Sequence, residues 1–148
     1  MKLTSKARSA VTALADLAAQ PGQQGPVPLR DIAERQKLSV TFLEQIFSKL
    51  RKAGLVASCR GAGGGYTFAT DPKSISVSDV VRAMDEEIRS TACRPGVNVG
   101  CRGTSVRCLT HGLWHDLDRM IDEYLEGVTL DDIASQAARN REGVAEDA

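Results

Sequence analysis

The fold is decided by the stretch PLRDIAERQKLSVTFLEQIFSKLRKAGLVASCRGAGGGYTFAT, residues 28–70. Pro28 stands at the start of a short helical pattern, KLS makes a turn, and Ser39 is placed to cap a second helix. Gly54 ends that helix, after which the hydrophobic period changes from helical spacing to two. LVASCR and YTFAT then flank a glycine-rich tip and predict a β-hairpin. The buried side of the second helix would carry Leu43, Ile46, Phe47 and Leu50.

Helical patterns also flank this stretch. An apolar face at three- and four-residue spacing predicts a helix in LTSKARSAVTALADLAAQ, and the prolines and glycines of PGQQGPVP end it. A short helix is expected in VSDVVRAMDEE, capped by Ser76 or Ser78, and a longer one in LTHGLWHDLDRMIDEYLEG. Thr129 and Asp132 open a last helix, and NREGVAEDA is expected to be a frayed polar tail. Helix, short helix, turn, helix and hairpin predict a winged helix-turn-helix.

Length and composition narrow the class of protein. The 148 residues are enough for one domain with an appended arm, and 42% hydrophobic content is typical of a globular chain. The N-terminus MKLTSKARSAV lacks the apolar core of a secretory signal, and no apolar run reaches the roughly 18 residues of a membrane span. We therefore expect a cytoplasmic protein with no membrane partner and with reduced thiols. The sequence shows no nucleophile with a paired base, so nothing in it indicates an enzyme.

Charge divides the chain. Residues 1–60 contain ten Lys and Arg against four Asp and Glu, whereas residues 61–148 contain nine against fifteen. A basic first half favours an anionic partner, with double-stranded DNA the first candidate.

The second helix and the hairpin tip carry the candidate DNA contacts. Polar side chains at the start of such a helix can meet base edges, since Gln pairs with adenine and Glu accepts from cytosine. Lys49, Arg51 and Lys52 suit phosphates, and a cation beside a flexible tip can enter a narrow minor groove. The predicted contacts are Val40, Thr41, Glu44, Gln45, Ser48 and Lys49 on the helix, and Arg60, Gly63 and Gly64 on the wing.

Three of the four cysteines lie in CRPGVNVGCRGTSVRCLTH, residues 93–111, with the spacing Cys-x7-Cys-x6-Cys-x2-His. Structural zinc sites usually pair their ligands as two tight knuckles, which this spacing does not provide. Separated thiolates in a glycine-rich loop suit an iron–sulfur cluster, and the four arginines of residues 88–111, with no acid among them, favour an anionic cluster. Zinc stays the alternative. Cys59 is interpreted as a structural thiol, His115 as a surface residue and Trp114 as a packing residue.

Several of these segments resemble one family. LTSKARSAVTALADLA, VPLRDIAERQKLSVTFLEQIFSKLRKAGLV, RGAGGGY and CLTHGLW are similar to the bacterial winged-helix transcription regulators that sense iron–sulfur clusters or nitric oxide, over residues 1 to about 135. The resemblance implies a homodimer that binds palindromic operators and a [2Fe–2S] cluster supplied by a cluster-assembly scaffold. It also implies a regulator that controls cluster-assembly genes. The cluster ligands that it implies are Cys93, Cys101, Cys108 and His111.

The prediction is a mainly α protein, a winged helix-turn-helix with a long C-terminal dimerisation helix. We expect a DNA-binding domain in residues 1–87, a cluster-binding loop in 88–111, the dimerisation and C-terminal helices in 109–137, and a polar tail in 138–148. Three other functions stay open. They are a zinc-stabilised regulator, a nitric-oxide-sensing regulator of the same fold, and a small iron–sulfur electron-transfer protein, for which a basic helix-turn-helix would have no use.

Overall fold

The computed structural model describes residues 3–20, 25–90 and 108–146. Two strands pair antiparallel, with Val56 opposite Phe68 and Cys59 opposite Gly65. A 3-10 turn, Pro72–Ser74, follows the second strand. In chain order the helices and strands are α1 Ser5–Ala18, α2 Leu29–Gln36, α3 Val40–Lys52, β1 Val56–Cys59, β2 Gly65–Phe68, α4 Val77–Ala83, α5 His111–Glu126 and α6 Leu130–Glu146.

Local capping chemistry begins these helices where the sequence predicts. The Ser39 hydroxyl accepts from the amide of Phe42 at 3.1 Å and starts α3. Ser76 and Asp79 exchange hydrogen bonds of 3.1 and 3.0 Å between side chain and backbone, which is a capping box at the start of α4. Thr129 and Asp132 make the same pair of bonds before α6, at 3.1 and 3.0 Å. The predicted caps are therefore confirmed, with Ser76 rather than Ser78 before α4.

The core lies where α1, α3 and α4 meet. Leu43, Ile46, Phe47 and Leu50 are fully buried, as the helical spacing of α3 predicts. The Phe47 and Tyr66 rings, 4.9 Å apart between centroids, join this helix to the second strand of the hairpin. The hairpin is thereby fixed to the helix that precedes it.

A third segment of backbone lies against the wing. Val27 and Tyr66 exchange two backbone hydrogen bonds, of 3.0 and 2.9 Å, although Val27 belongs to no regular strand. A Cβ atom at the neighbouring Gly65 would lie 2.3 Å from the Val27 backbone, so only glycine allows this approach.

Backbone hydrogen bonds attach the C-terminal part of the chain to the segment around the start of α4. The amide of Val77 donates to the carbonyl of Val128 at 2.9 Å, and the amide of Leu130 donates to the carbonyl of Ile75 at 3.0 Å. Leu130 is fully buried, and α6 packs against α1. The start of α4 and the start of α6 are therefore tied together.

Three predicted boundaries were wrong. The helix of VSDVVRAMDEE ends at Ala83, because Asp85 adopts a left-handed conformation with φ of 58° that stops it. The long helix begins at His111 instead of Leu109. The expected frayed tail is helical up to Glu146, since its Ala, Arg and Glu residues favour a helix and one glycine costs only about 1 kcal/mol.

A buried carboxylate fixes α2 against α1. The side chain of Asp16 is 3% exposed and accepts from Arg35 through both Nε and Nη2, the shortest of these bonds being 2.7 Å. Gln36 donates to the second carboxylate oxygen at 2.7 Å, and Gln20 donates to the first at 3.3 Å. The hydrogen bond to Asp16 raises the pKa of Arg35 above its ordinary value. Every oxygen of the buried acid is therefore satisfied.

We expect Asp16→Ala to lower the free energy of unfolding by about 2–4 kcal/mol, because two helices lose their shared carboxylate and the donors of Arg35 and Gln36 lose their partner. Urea denaturation followed by circular dichroism measures this loss. Glu34→Ala is the matched control, since it removes an exposed carboxylate from α2 and should change stability by no more than about 0.5 kcal/mol. Equal effects of the two substitutions would show that the buried network is not what holds the helices.

Candidate DNA interface and cluster-ligand site

A tight turn sets the angle between α2 and α3. Lys37 takes a left-handed conformation with φ of 56°, and the amide of Leu38 donates to the carbonyl of Ala33 at 3.0 Å. Because α3 buries its apolar face, the opposite face is left to solvent. Of the predicted DNA contacts on α3, the structure exposes Val40, Thr41, Glu44 and Gln45 and half-buries Ser48 and Lys49.

The wing places Arg60 beside its glycine tip, with the side chain exposed. The two predicted contact glycines differ in role. A Cβ atom at Gly64 would lie 2.5 Å from the carbonyl oxygen of Cys59, whereas a Cβ atom at Gly63 would meet nothing within 4 Å. Gly64 is therefore required by the hairpin itself, and Gly63 lies on its open side.

Arg51 connects α3, which would be the recognition helix, to the wing. Its Nη1 donates to the hydroxyl of Ser58 at 3.3 Å, from the last turn of α3 to the middle of β1. The two surfaces that would contact DNA are thus held by one exposed hydrogen bond in addition to their shared core. Cys59 is an exposed free thiol on the same strand, so its interpretation as a structural thiol receives no support from burial.

Lys49 has a partner that the sequence analysis did not identify. Its Nζ lies 2.9 Å from Oδ2 of Asp85, and that hydrogen bond and the charge of Lys49 lower the pKa of Asp85 below its ordinary value. Lys6 and Lys52 lower the same pKa further. An acidic group therefore stands ionised among cations that a DNA phosphate would also attract. Only the run of acids after α4 signals it in the sequence, and no spacing rule connects that run to α3.

Glu44 stays on the exposed face without an ion pair among the described residues. Glu44 does not pair with Lys49, which bonds to Asp85 instead. Glu44 is accordingly available to a base edge.

The described ends of the cysteine segment meet on α5. The amide of Ser90 donates to Oδ1 of Asp118 at 2.6 Å, and the Ser90 hydroxyl donates to the carbonyl of Trp114 at 3.3 Å. At the other end, the amide of His111 donates to the carbonyl of Cys108 at 3.1 Å. Ser90 and Cys108, the described residues on either side of 91–107, therefore both lie beside the first half of α5. Cys93 and Cys101 lie outside the described residues.

Cys108 and His111 are both half-buried and stand one helical turn apart at the start of α5. The exposed His115 stacks on His111, with ring centroids 6.2 Å apart. Trp114 is 36% exposed, and its indole nitrogen donates to Oγ1 of Thr110 at 3.0 Å. The described residues contain two of the four predicted ligands, Cys108 and His111. They contain no group of three metal-binding side chains.

Large apolar side chains project from α5 into solvent, and none of its residues is buried. Such exposed surface on a helix marks an interaction face. Among the helices of the described residues, none combines the length and the apolar composition that crossing a membrane requires. The exposed apolar residues in and just before α5 are Leu109, Leu113, Trp114, Met120 and Tyr124.

The exposed polar face of α3, the tight turn before it and the glycine wing define a DNA-binding protein of the winged helix-turn-helix class. A family profile described as "Rrf2: Iron-dependent Transcriptional regulator" matches residues 3–136. The chain belongs to the Rrf2 family, and it is a DNA-binding transcription regulator.

Curated relatives and solved structures agree with this assignment. The HTH-type transcriptional regulator IscR of Aliivibrio salmonicida is 53% identical over 133 residues, covering 90% of this chain and 77% of the relative. IscR of Yersinia pseudotuberculosis is 50% identical over 135 residues, covering 91% and 80%. These relatives are regulators and not enzymes, as the sequence predicts.

Two solved structures share the architecture. IscR of T. potens has a TM-score of 0.71 at 37% identity, covering 93% of this chain and 88% of that one. CymR, the global cysteine regulator of B. subtilis, has a TM-score of 0.77 at 33% identity, covering 92% and 98%. The predicted mainly α winged-helix fold is confirmed.

We expect Asp85→Asn to strengthen binding to random-sequence DNA several-fold, because it removes a carboxylate that competes with phosphate for Lys49. If Lys49 then gains one phosphate contact, the logarithm of affinity should fall more steeply with the logarithm of salt, by up to about 0.9. Fluorescence anisotropy titrations at several salt concentrations measure both quantities.

Gln45→Ala provides the contrast for this measurement. It should weaken binding to an operator fragment by about 1–3 kcal/mol and leave the salt slope unchanged, because a base contact carries no counterion. Unchanged affinity and slope in Asp85→Asn would show that Asp85 does not compete with DNA.

Proposed function

We propose that this chain is a homodimeric, cytoplasmic regulator that senses iron–sulfur clusters and controls cluster-assembly genes. A [2Fe–2S] cluster would be held by Cys93, Cys101, Cys108 and His111. The observation that carries this proposal is the position of Cys108 and His111 at the start of α5, the helix to which Ser90, on the other side of residues 91–107, is also hydrogen-bonded. The similarity to relatives named IscR supports the proposal. Cys108 and His111 both lie in the segment CLTH, one of those on which the resemblance to cluster-sensing regulators rests.

The donor chemistry fits such a group. Thiolates prefer soft metals and clusters, and a histidine ligand in place of a cysteine raises the potential of a [2Fe–2S] centre. The half-buried positions of Cys108 and His111 leave them accessible to a cluster while limiting solvent. When bound, the cluster supplies a redox- and supply-sensitive crosslink between the cysteine segment and α5. A cluster-assembly scaffold protein is the expected donor.

The same arrangement gives ligation a route to the DNA-binding face. Ser90 docks on α5 and stands five residues after Asp85, which bonds Lys49 of α3, and Thr4 at the start of α1 bonds Glu86. Ligation at Cys108 and His111 would therefore act on residues already attached to α1 and α3. A protein that ligation holds in one arrangement loses less conformational freedom when it binds DNA.

The proposed DNA contacts divide by chemistry. Val40, Thr41, Glu44, Gln45 and Ser48 would face base edges, and Lys49 would contact phosphate when it is released from Asp85. On the wing, Arg60 would enter the minor groove, with Gly63 and Gly64 allowing the close approach of backbone. A two-fold dimer places two such surfaces on successive turns of a palindromic operator.

The dimer interface proposed here is the apolar face of α5. Leu113, Met120 and Tyr124 are 60%, 63% and 71% exposed and recur at helical spacing along one side. Leu117 and Ile121 continue the same side and are half-buried. A symmetric contact would bury this face against its own copy.

For the ligands, we expect Ala at Cys93, Cys101 or Cys108 to abolish the visible absorption of anaerobically purified protein, because each substitution removes a cluster thiolate. The fold should persist, which circular dichroism verifies, since α1 to α4 do not depend on this segment. Cys59→Ala is the matched control and should keep the colour. A colourless Cys59→Ala together with a coloured Cys108→Ala would overturn the assignment, and a colourless wild type that binds zinc would favour the zinc-stabilised regulator.

For the dimer, Met120→Glu should convert a particle of about twice 15.9 kDa into one of 15.9 kDa in sedimentation analysis. The change enters a two-fold interface twice, so it should weaken association on the order of a hundred-fold. Glu123→Ala, also on exposed α5, should remain dimeric. A dimer that persists in Met120→Glu would place the interface elsewhere.

A further inference from the structure

Thr110 is the residue before α5, but its hydroxyl does not cap the helix. The backbone of Thr110 has φ of −100° and ψ of 8°, outside the extended conformation usual for a cap, and no helix amide donates to its side chain. Four other hydroxyl residues in the described chain do accept from an amide of the helix that they precede. These are Thr4, Ser39, Ser76 and Thr129.

The Thr110 hydroxyl instead joins two other side chains. The indole nitrogen of Trp114 donates to its oxygen at 3.0 Å, and Sγ of Cys108 lies 3.8 Å from the same oxygen. An indole N–H is only a donor, so the oxygen of Thr110 is the acceptor in that bond. The proton of the hydroxyl is then left for another acceptor, and the Cys108 sulfur is within hydrogen-bonding distance for sulfur.

Ligation decides the direction of the bond between Thr110 and Cys108. A cysteine that holds a metal does so as a thiolate, which has no proton to give. Thr110 must therefore donate and the sulfur must accept. Trp114 stands one turn further along α5 and donates to the hydroxyl oxygen, which leaves the hydroxyl proton for Cys108.

We propose that Thr110, held by Trp114, is a positioning residue that donates a hydrogen bond to the cluster-ligating sulfur of Cys108 and raises the reduction potential of the bound cluster. The inference rests on the proposed function, in that it takes Cys108 to be a ligand. A hydrogen bond withdraws electron density from the sulfur and stabilises the more negative, reduced state. The hydroxyl that would have capped α5 is used for this purpose.

The test compares cluster potentials in purified, loaded protein. Thr110→Val keeps the shape and removes the donor, so at the wild-type midpoint the ratio of reduced to oxidised protein should fall by about ten-fold, equivalent to 59 mV for a one-electron couple. Thr110→Ser should restore the wild-type potential, because it restores the hydroxyl. Trp114→Phe should give an intermediate shift, since the hydroxyl stays but loses its orientation. Thr129→Val, which removes a hydroxyl from an ordinary cap, should leave the potential unchanged.

A second measurement uses the protein without a cluster. Trp114 is the only tryptophan of the chain, so its fluorescence reports the bond to Thr110 directly. The emission maximum of the apo protein should change in Thr110→Val and return in Thr110→Ser. The fluorescence can be measured even if Thr110→Val takes up little cluster. In that case the reduction potential is compared between wild type, Thr110→Ser and Trp114→Phe.

The outcomes separate the two proposals. A wild-type protein that takes up no iron–sulfur cluster overturns both. A loaded wild type whose potential is matched by Thr110→Val overturns this inference and leaves the proposed function standing. A lowered potential that Thr110→Ser does not restore also overturns it, because packing rather than the hydroxyl would then set the potential.

Discussion

The carboxylate of Asp16 is the constraint on which the DNA-binding half depends. It is a charge removed from water on the buried side of α1, and such a charge is stable only if donors surround it. Arg35 and Gln36, at the end of α2, are those donors. Their geometry fixes where α2 ends, and the left-handed Lys37 that follows immediately sets the direction of α3. The position of the recognition helix is thus determined by one buried acid and one turn residue.

A second constraint joins the two halves of the chain. Backbone bonds between Val77 and Val128, and between Leu130 and Ile75, bring the start of α4 beside the start of α6. The stretch of chain between the start of α4 and the start of α6, which includes α5, therefore begins and ends at neighbouring points. Because α6, which follows α5, also packs on α1, the exposed apolar face of α5 is connected to the helix-turn-helix. We therefore expect a movement of α5 to displace the DNA-binding half as well.

The features that the sequence predicts well are local. Caps at Ser39 and Thr129 and the buried spacing of α3 depend on residues within one or two turns, so their pattern is sufficient. Contacts between distant residues could not be predicted in this way. Asp16 and Arg35 are 19 residues apart, and Lys49 and Asp85 are 36 apart, so each pairing exists only once the helices have packed. The end of α4 was missed because nothing in VSDVVRAMDEE marks Asp85 as the residue with a left-handed backbone.

The pairing of Ser76 with Thr129, which brings together the two ends of the chain between them, also has an evolutionary consequence. Both described ends of the cysteine segment attach to α5, and the cost of closing a loop rises only slowly with its length. A segment attached at both ends in this way can change its length, or exchange its cysteines, at little cost to α5 or to the helices packed against it. If the cysteine segment holds the sensed group as proposed, a lineage with this fold can replace the signal that it senses while retaining the promoters that it controls, because the two properties lie on separate stretches of chain.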